Sequence, residues 1–305
     1  MEEQRNDQEL EDQLRKGKAG KLSGNLLMLL GGIILLVGVV IANNFVVDIL
    51  GIIILCVGSI VKGNAKKAAS QKVFDTLVPD LLKGVLEDAN FQPTEHLVQV
   101  RDSNIPLPDY SDVNRSGYIK GVYRGHPTEL CSVTLTKTES FQREEDGMWE
   151  ERKSQVYAGQ WLVCETGQTL PAGLTIWPRG KLDKLFRSAT IKTDNEDFNK
   201  QFNFSCDDEQ SALRFLSPSR IDRVLALKEG GFSNFSVSLH DDGKLYIAAH
   251  SGRGFFDIGK GHESPDALRQ RFARELKWFT DMIDIFAPME RRKAECHSGW
   301  LWFCF

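Results

Sequence analysis

From Leu26 to Val61 the chain is almost continuously apolar, and on either side it is polar and mixed in charge. A single helix over that run would rise roughly 1.5 Å per residue and reach over about 50 Å, far beyond a hydrocarbon core of about 30 Å. Split at Asn43-Asn44, the run yields Leu26–Ala42 and Phe45–Val61. Each is near the lower limit of about 17 residues for a membrane span. Asparagine suits turn conformations, so the pattern predicts a helical hairpin with its tip at the Asn pair. Asp48 then falls in the first turn of the second arm. There it complements the helix dipole and sits at the membrane interface, where a carboxylate costs much less than at the bilayer centre. The spacing Gly38-x-x-x-Ala42 allows close helix packing.

Beyond the hairpin, Val73, Phe74, Leu77, Val78, Leu81, Leu82, Val85 and Leu86 recur at helical spacing. They predict an amphipathic helix over 70–89, with Pro79 marking a kink or a restart. Strands dominate next: "GYIKGVYRG", "ELCSVTLTKTES", "QVYAGQWLVCET" and "LTIWP" are short and rich in β-branched and aromatic residues. The charged stretch "FQREEDGMWEERKS" between two of them reads as a solvated, mobile hairpin loop. "DDEQSALRFL" reads as a helix with acids in its first turn, and Ser217-Pro218 opens another that ends near Gly230-Gly231. "FSVSLHDDGKLYIAAH" predicts a β-hairpin with Asp242-Gly243 at the tip. Ser264-Pro265 then caps a long amphipathic helix through about Phe286, with Leu268, Phe272, Leu276, Phe279, Ile283 and Phe286 on one face. Phe198, Phe202 and Phe204 read as core. The fold class is α+β: a two-span transmembrane hairpin followed by a cytosolic antiparallel-sheet domain with packed helices.

Charge adds an orientation. Arg15, Lys16, Lys18 and Lys21 precede the first span, Lys62, Lys66 and Lys67 follow the second, and the turn has no Lys or Arg. The positive-inside rule then puts both termini in the cytoplasm of a multi-pass inner-membrane protein. A cleaved signal peptide fits poorly: the leading segment is long and acidic, and a second apolar segment follows at once. Residues 1–24 start acidic and turn basic, with Leu10 and Leu14 four apart among polar residues; they read as a short amphipathic helix or as disorder, with a frayed helix favoured. The net charge of −4 lacks the basic excess of a nucleic-acid binder. The six cysteines form no C-x-x-C pair, which suits free thiols in a reducing compartment rather than a disulfide framework or a metal site.

Four stretches carry a resemblance to a known family: "GYIKGVYRGHPTELCSVTL", "VYAGQWLVCE", "DNEDFNKQFNFSCDDEQSALRFLSPSRIDRVLAL" and "FSVSLHDDGKLYIAA". In that order they resemble the bacterial membrane-protein family called domain of unknown function 3137, over roughly Val73 to Phe286. The most specific part is Phe198-x-x-x-Phe202, followed by Asp208 and the Leu216-Ser217-Pro218 stop. The resemblance implies two N-terminal spans and a cytosolic domain, and it implies no catalytic residues. Where the family tends to show acid-Ala-Arg, this chain has Ser211-Ala212-Leu213, so no charged role carries over to that helix.

Candidate chemistry is sparse. "GFFDIGKG" (Gly254 to Gly261) has the G-x-x-x-x-G-K spacing of a phosphate-binding loop, but Gly261 stands where Ser or Thr would hold magnesium. Phe255, Phe256 and Ile258 want burial rather than a phosphate. What remains is a weaker anion site from Arg253, Lys260 and His262 at the start of the last helix. His126, His240, His250 and His262 are dispersed, and His240-Asp241-Asp242 precedes a turn where acids are expected anyway. The tail "SGWLWFCF" follows the basic Arg291-Arg292-Lys293. Three destinations fit its chemistry: packing on its own domain, insertion of Trp300 and Trp302 at the membrane interface, or an oligomer contact.

The organisation expected is therefore a polar segment over 1–24, a hairpin over 25–62 with spans 26–42 and 45–61, an α+β domain over 70–290, and a basic-aromatic tail over 291–305. The leading function is a membrane-anchored interaction or regulatory module, leaning away from an enzyme, with no cofactor, metal or nucleic acid. Its expected partners are the lipid bilayer and an unknown protein, with a homo-oligomer as a further state. Two alternatives stay open: an anion- or nucleotide-binding sensor or enzyme using Arg253, Lys260 and His262, and an oligomeric pore or transporter component with Asp48 near its mouth.

Overall fold

The computed structural model describes residues 2–39, 45–91, 95–143, 147–167, 171, 173–180, 190–259 and 263–287. Two long helices open it, α1 (Glu2–Val37) and α2 (Phe45–Lys83). Both are long and apolar enough to cross a membrane, and only 11% of the apolar window of each is buried. The expected turn at Asn43-Asn44 lies outside the described residues.

The hairpin reaches well past its apolar stretch. The opening segment, expected to fray, is part of continuous helix α1. Leu10 and Leu14 are buried with Ala69, Val73 and Leu77 of α2, so packing against the second helix supplies the stability that an isolated polar segment lacks. A repeat explains the closeness of the two arms. Gly17, Gly24 and Gly31 on α1 and Gly38 just past its end recur every seventh residue, and Gly51, Gly58 and Ala65 do so on α2. A Cβ at Gly24 would lie 2.8 Å from the Gly58 carbonyl oxygen, and one at Gly31 would lie 2.8 Å from the Leu55 nitrogen. The backbones meet because no side chain stands between them.

Helix α2 passes through Pro79 without ending. Val78 and Leu82 on either side are fully buried, and that burial outweighs the backbone hydrogen bond that proline removes. The C-terminal half of α2 thus belongs to the core of the sheet domain.

Eight strands form one open antiparallel sheet in the order β1-β2-β3-β4-β8-β7-β5-β6. They are β1 (Glu87–Asn90), β2 (Asp112–Tyr123), β3 (His126–Gln142), β4 (Trp149–Glu165), β5 (Leu174–Pro178), β6 (Phe202–Ser205), β7 (Phe235–Leu239) and β8 (Lys244–Ala249). Short helices α3 (Glu196–Gln201), α4 (Glu209–Phe215) and α5 (Pro218–Gly230) flank β6, and α6 (Pro265–Phe286) closes the described chain. The class is α+β, as the sequence predicts.

Alternation sorts the strands between two cores. Leu130, Leu162, Leu245 and Ile247 face α2, α5 and α6. Cys131, Val133, Trp161, Val163 and Tyr246 face the other way and are covered by Val98, Val100 and Ile105 of the segment before β2. That segment is held by Glu129, fully buried on β3, whose carboxylate accepts the backbone N–H groups of Leu97 at 3.0 Å and Val98 at 3.1 Å.

Most predicted element starts hold. The Ser264 hydroxyl accepts from the Ala267 N–H with Pro265 next in line, Asp208 caps α4, and the β7–β8 turn passes through Gly243 at φ +82°. Phe198, Phe202 and Phe204 are buried as expected. The charged stretch after Ser140 departs from its reading as a loop: β3 and β4 run into it, pairing Phe141 with Glu150 and Gln142 with Trp149. Charges face each other across the ladder, with Glu139 just before the stretch opposite Arg152 within it, and Arg143 ion-paired to Glu150. Opposite charges in register support strands, and the sequence run by itself does not reveal that register.

Candidate functional site

The loop after β8 is where the hairpin, the sheet and α6 meet. Its path is set by backbone contacts. The Gly252 N–H donates to the Ala158 carbonyl, and the Phe255 N–H donates to the Ser132 hydroxyl at 2.9 Å. Phe256 adopts a left-handed φ of +56°, costly for a bulky residue. Burial of its ring against Phe74 of α2 and Phe272 of α6 offsets that cost. Phe255 packs on Phe279. Phe255, Phe256 and Ile258 are therefore the apolar plug that their chemistry predicts.

Beneath the plug lies a buried polar cluster centred on Glu275 of α6. Its carboxylate accepts from Arg253 at 2.6 Å, from the Gln160 amide at 2.9 Å and from Arg271 at 3.3 Å. Arg271 also donates to Glu263 at 2.9 Å and to the Asp257 carbonyl at 2.7 Å. Burial makes the bonds of Glu275 and Arg271 mutually dependent, because either group alone would be a desolvated charge; Arg253 and Glu263 reach them from the solvent side. Of the three residues expected at an anion site, Arg253 is thus engaged by a protein carboxylate. Lys260 and His262 lie outside the described residues, as do Trp300 and Trp302.

Two clefts flank this junction. The first, of about 700 Å³, lies between the hairpin and the sheet. Lys21 of α1 and Lys62, Lys66 and Lys67 of α2 form one wall, Ser116, Ser132 and Thr134 the sheet floor, and Phe255, Phe256 and Asp257 the far side. Its upper end reaches Met28 and Ser59, inside the apolar arms. Asp257 is its one acidic lining residue among the described residues, with Lys66 Nζ 3.9 Å from its carboxylate. Sequence reading took these lysines only as topology signals. Lys62 and Lys66, four apart at the end of an apolar run, share a helix face, and that spacing was the available clue.

The second cleft, of about 440 Å³, lies on the other face of the sheet. Pro106 and Leu107, Tyr157, Arg179, Lys228, Ser236 and His250 line it. Burial lowers the His250 imidazole below its usual range and lowers Lys228 as well. The Tyr157 hydroxyl accepts from the Trp161 indole at 3.0 Å, and burial raises its pKa well above the ordinary tyrosine value. A cleft lined by an imidazole, two cations and an apolar wall suits a small organic anion. Sequence reading missed it because its residues come from six separate segments.

At the far end of the hairpin, Asp48 stands in the first turn of α2. Its Oδ1 is buried and has no hydrogen-bond partner among the described residues. The carboxylate fills the space that a side chain at Gly38 would occupy.

Residues 155–287 match the family described as "Protein of unknown function (DUF3137)". The matched stretch runs from β4 through α6, and so begins later than the resemblance read from the sequence. No curated protein matches the chain, and no solved structure does.

Proposed function

We propose, since residues 155–287 match a family of unknown function, a role from the physical arrangement: a membrane-anchored interaction or regulatory module in which the hairpin and the sheet domain form one stiff unit. The supporting observation is helix α2. Its first half presents Val46, Ile49, Leu50, Ile52, Ile53, Val57 and Ile60 to the surroundings, and its second half buries Val73, Leu77, Val78 and Leu82 in the domain core. Together with Leu26, Leu29, Ile33 and Leu36 of α1, the exposed band is far larger than a water-soluble surface tolerates, and a bilayer satisfies it. No flexible linker separates band from core, so a shift or rotation of the hairpin moves the sheet with it. That stiffness suits relay between the membrane and a protein partner better than it suits a tethered enzyme. The basic flanks orient the sheet domain and both termini to the cytoplasm of the inner membrane.

Fractionation tests the anchor: the full chain stays with membranes through an alkaline carbonate wash. Protease added to intact cells leaves it whole, and protease added to inverted vesicles digests the domain. Release by the wash defeats the anchor. A domain that turns over a substrate in an activity screen defeats the non-enzymatic role.

A second reading, a ligand sensor, is favoured by the His250–Lys228–Arg179 cleft rather than by the loop at Arg253. Thermal-shift measurements on the full chain with small carboxylates and phosphate esters test it. No stabilisation by any anion removes this reading.

A further inference from the structure

We propose that the cleft between the hairpin and the sheet is a binding site for the headgroup of an anionic glycerophospholipid. The inference deepens the membrane-anchored reading and rests on it. Three observations converge. The first is position: the apolar run of α2 ends at Val61, and Lys62, Lys66 and Lys67 follow at once, so the cleft opens at the edge of the exposed apolar band. The second is charge. Among the described residues, four lysines and a single aspartate line the cleft. Lys66 reaches Asp257 only at 3.9 Å, and Lys62 and Lys67 have no protein partner among the described residues. The third is shape: the same cleft runs up to Met28 and Ser59 within the apolar arms, while its lower wall is Phe255 and Phe256. One ligand fits both ends, with its phosphate at the lysine wall and its glycerol and first acyl carbons along the arms.

Basic pockets at the cytoplasmic ends of membrane helices favour such lipids because ammonium groups meet phosphate where water is scarce. A soluble phosphate ester would satisfy the lysines alone and would leave the apolar upper end empty. Occupied by lipid, the cleft joins α2, the sheet floor and the aromatic plug across one ligand, so the domain's seating on the hairpin depends on the lipid beside it.

The test uses the full chain in nanodiscs of equal phosphatidylcholine and phosphatidylglycerol with matched acyl chains. Native mass spectrometry reads the lipid retained on release. The expected result is preferential retention of phosphatidylglycerol. The triple variant Lys62→Gln, Lys66→Gln, Lys67→Gln lowers that preference by about tenfold or more. The distant triple variant Lys83→Gln, Lys120→Gln, Lys200→Gln keeps it, and excess inorganic phosphate does not compete. Equal retention of the two lipids overturns the proposal, as does an unchanged preference in the cleft variant. Displacement by inorganic phosphate overturns it in favour of a soluble anion. A chain that enters the nanodiscs without lipid preference defeats only the cleft. A chain that does not enter them defeats the anchor and the cleft together.

Discussion

The guanidinium of Arg253 donates to the carboxylate of Glu275 at 2.6 Å, tying the loop after β8 to the middle of α6. Gln160 on β4 and Arg271 on α6 share the same carboxylate. One side chain therefore holds a strand, a loop and a helix together beneath the aromatic plug.

Glu275→Ala removes the shared acceptor, leaves the Gln160 amide and the buried Arg271 guanidinium short of a partner, and frees Arg253 toward solvent. Breaking a fully buried pair costs about 3 kcal/mol; with Arg253 partly solvated and Arg271 still bonded to Glu263, the expected loss is about 1–2 kcal/mol. Denaturant unfolding of the full chain in detergent measures it. Wild-type stability in the variant would mean that the cluster does not support the fold.

The glycine heptads give a paired prediction. Gly31→Leu forces the hairpin arms apart, since even a Cβ there would lie 2.8 Å from the Leu55 nitrogen. Gly32→Leu is the control, because a Cβ at the neighbouring position meets nothing within 4 Å. Thermal unfolding in detergent is expected to drop sharply for the first and to stay near wild type for the second. Equal behaviour of the two would mean that the arms do not meet along the glycine face.

Cysteine reactivity separates the buried thiols. Burial pushes the Cys164 thiol up to about 12 and the Cys131 thiol higher still. Neither forms thiolate at neutral pH, and thiolate is the reactive species. Maleimide labelling at pH 7.5 followed by peptide mass spectrometry is expected to leave both unmodified in the folded protein and to modify both after denaturation. Labelling of Cys131 without unfolding would contradict its place beneath Val98 and Val100.

His250 makes stability fall on acidification. Burial holds its folded-state pKa below the usual 6.5, so below that pH the unfolded chain binds a proton that the folded chain refuses. Its contribution is fully present above about pH 6.5 and declines as pH drops toward the folded-state value. Urea midpoints measured from pH 7.5 to pH 5 should decline for the wild type and decline less for His250→Gln. Identical slopes would assign the acid sensitivity to other groups.

Local signals carried much of the fold. Ser264-Pro265, Asp208 and Asp242-Gly243 each define a cap or turn by their own short-range hydrogen bonds, so they can be read without knowing what lies opposite. Strand β1 (Glu87–Asn90) was not legible: "EDAN" has no strand propensity, and it pairs because β2 offers an open edge. The coil holding Val98 and Val100 was equally silent, since its place depends on Glu129, more than thirty residues away. The lysine cleft joins α1, α2, two strands and a loop, and no window of the chain contains that combination.

The sequence by itself determined most of the helices and strands, though not β1 or the ends of β3 and β4, that two arms are apolar enough to cross a membrane, and that Phe255 and Phe256 belong inside. Periodicity and local hydrogen bonding carry that information, and both act over a few residues. Only the tertiary structure decided that α1 packs along α2 beyond the apolar run, that the sheet has a second buried face, that Arg253 serves Glu275, and that the lysines border a cleft. These are contacts between residues far apart in the chain. Their energy comes from mutual burial and charge pairing, which exist only once the backbone has brought the partners together.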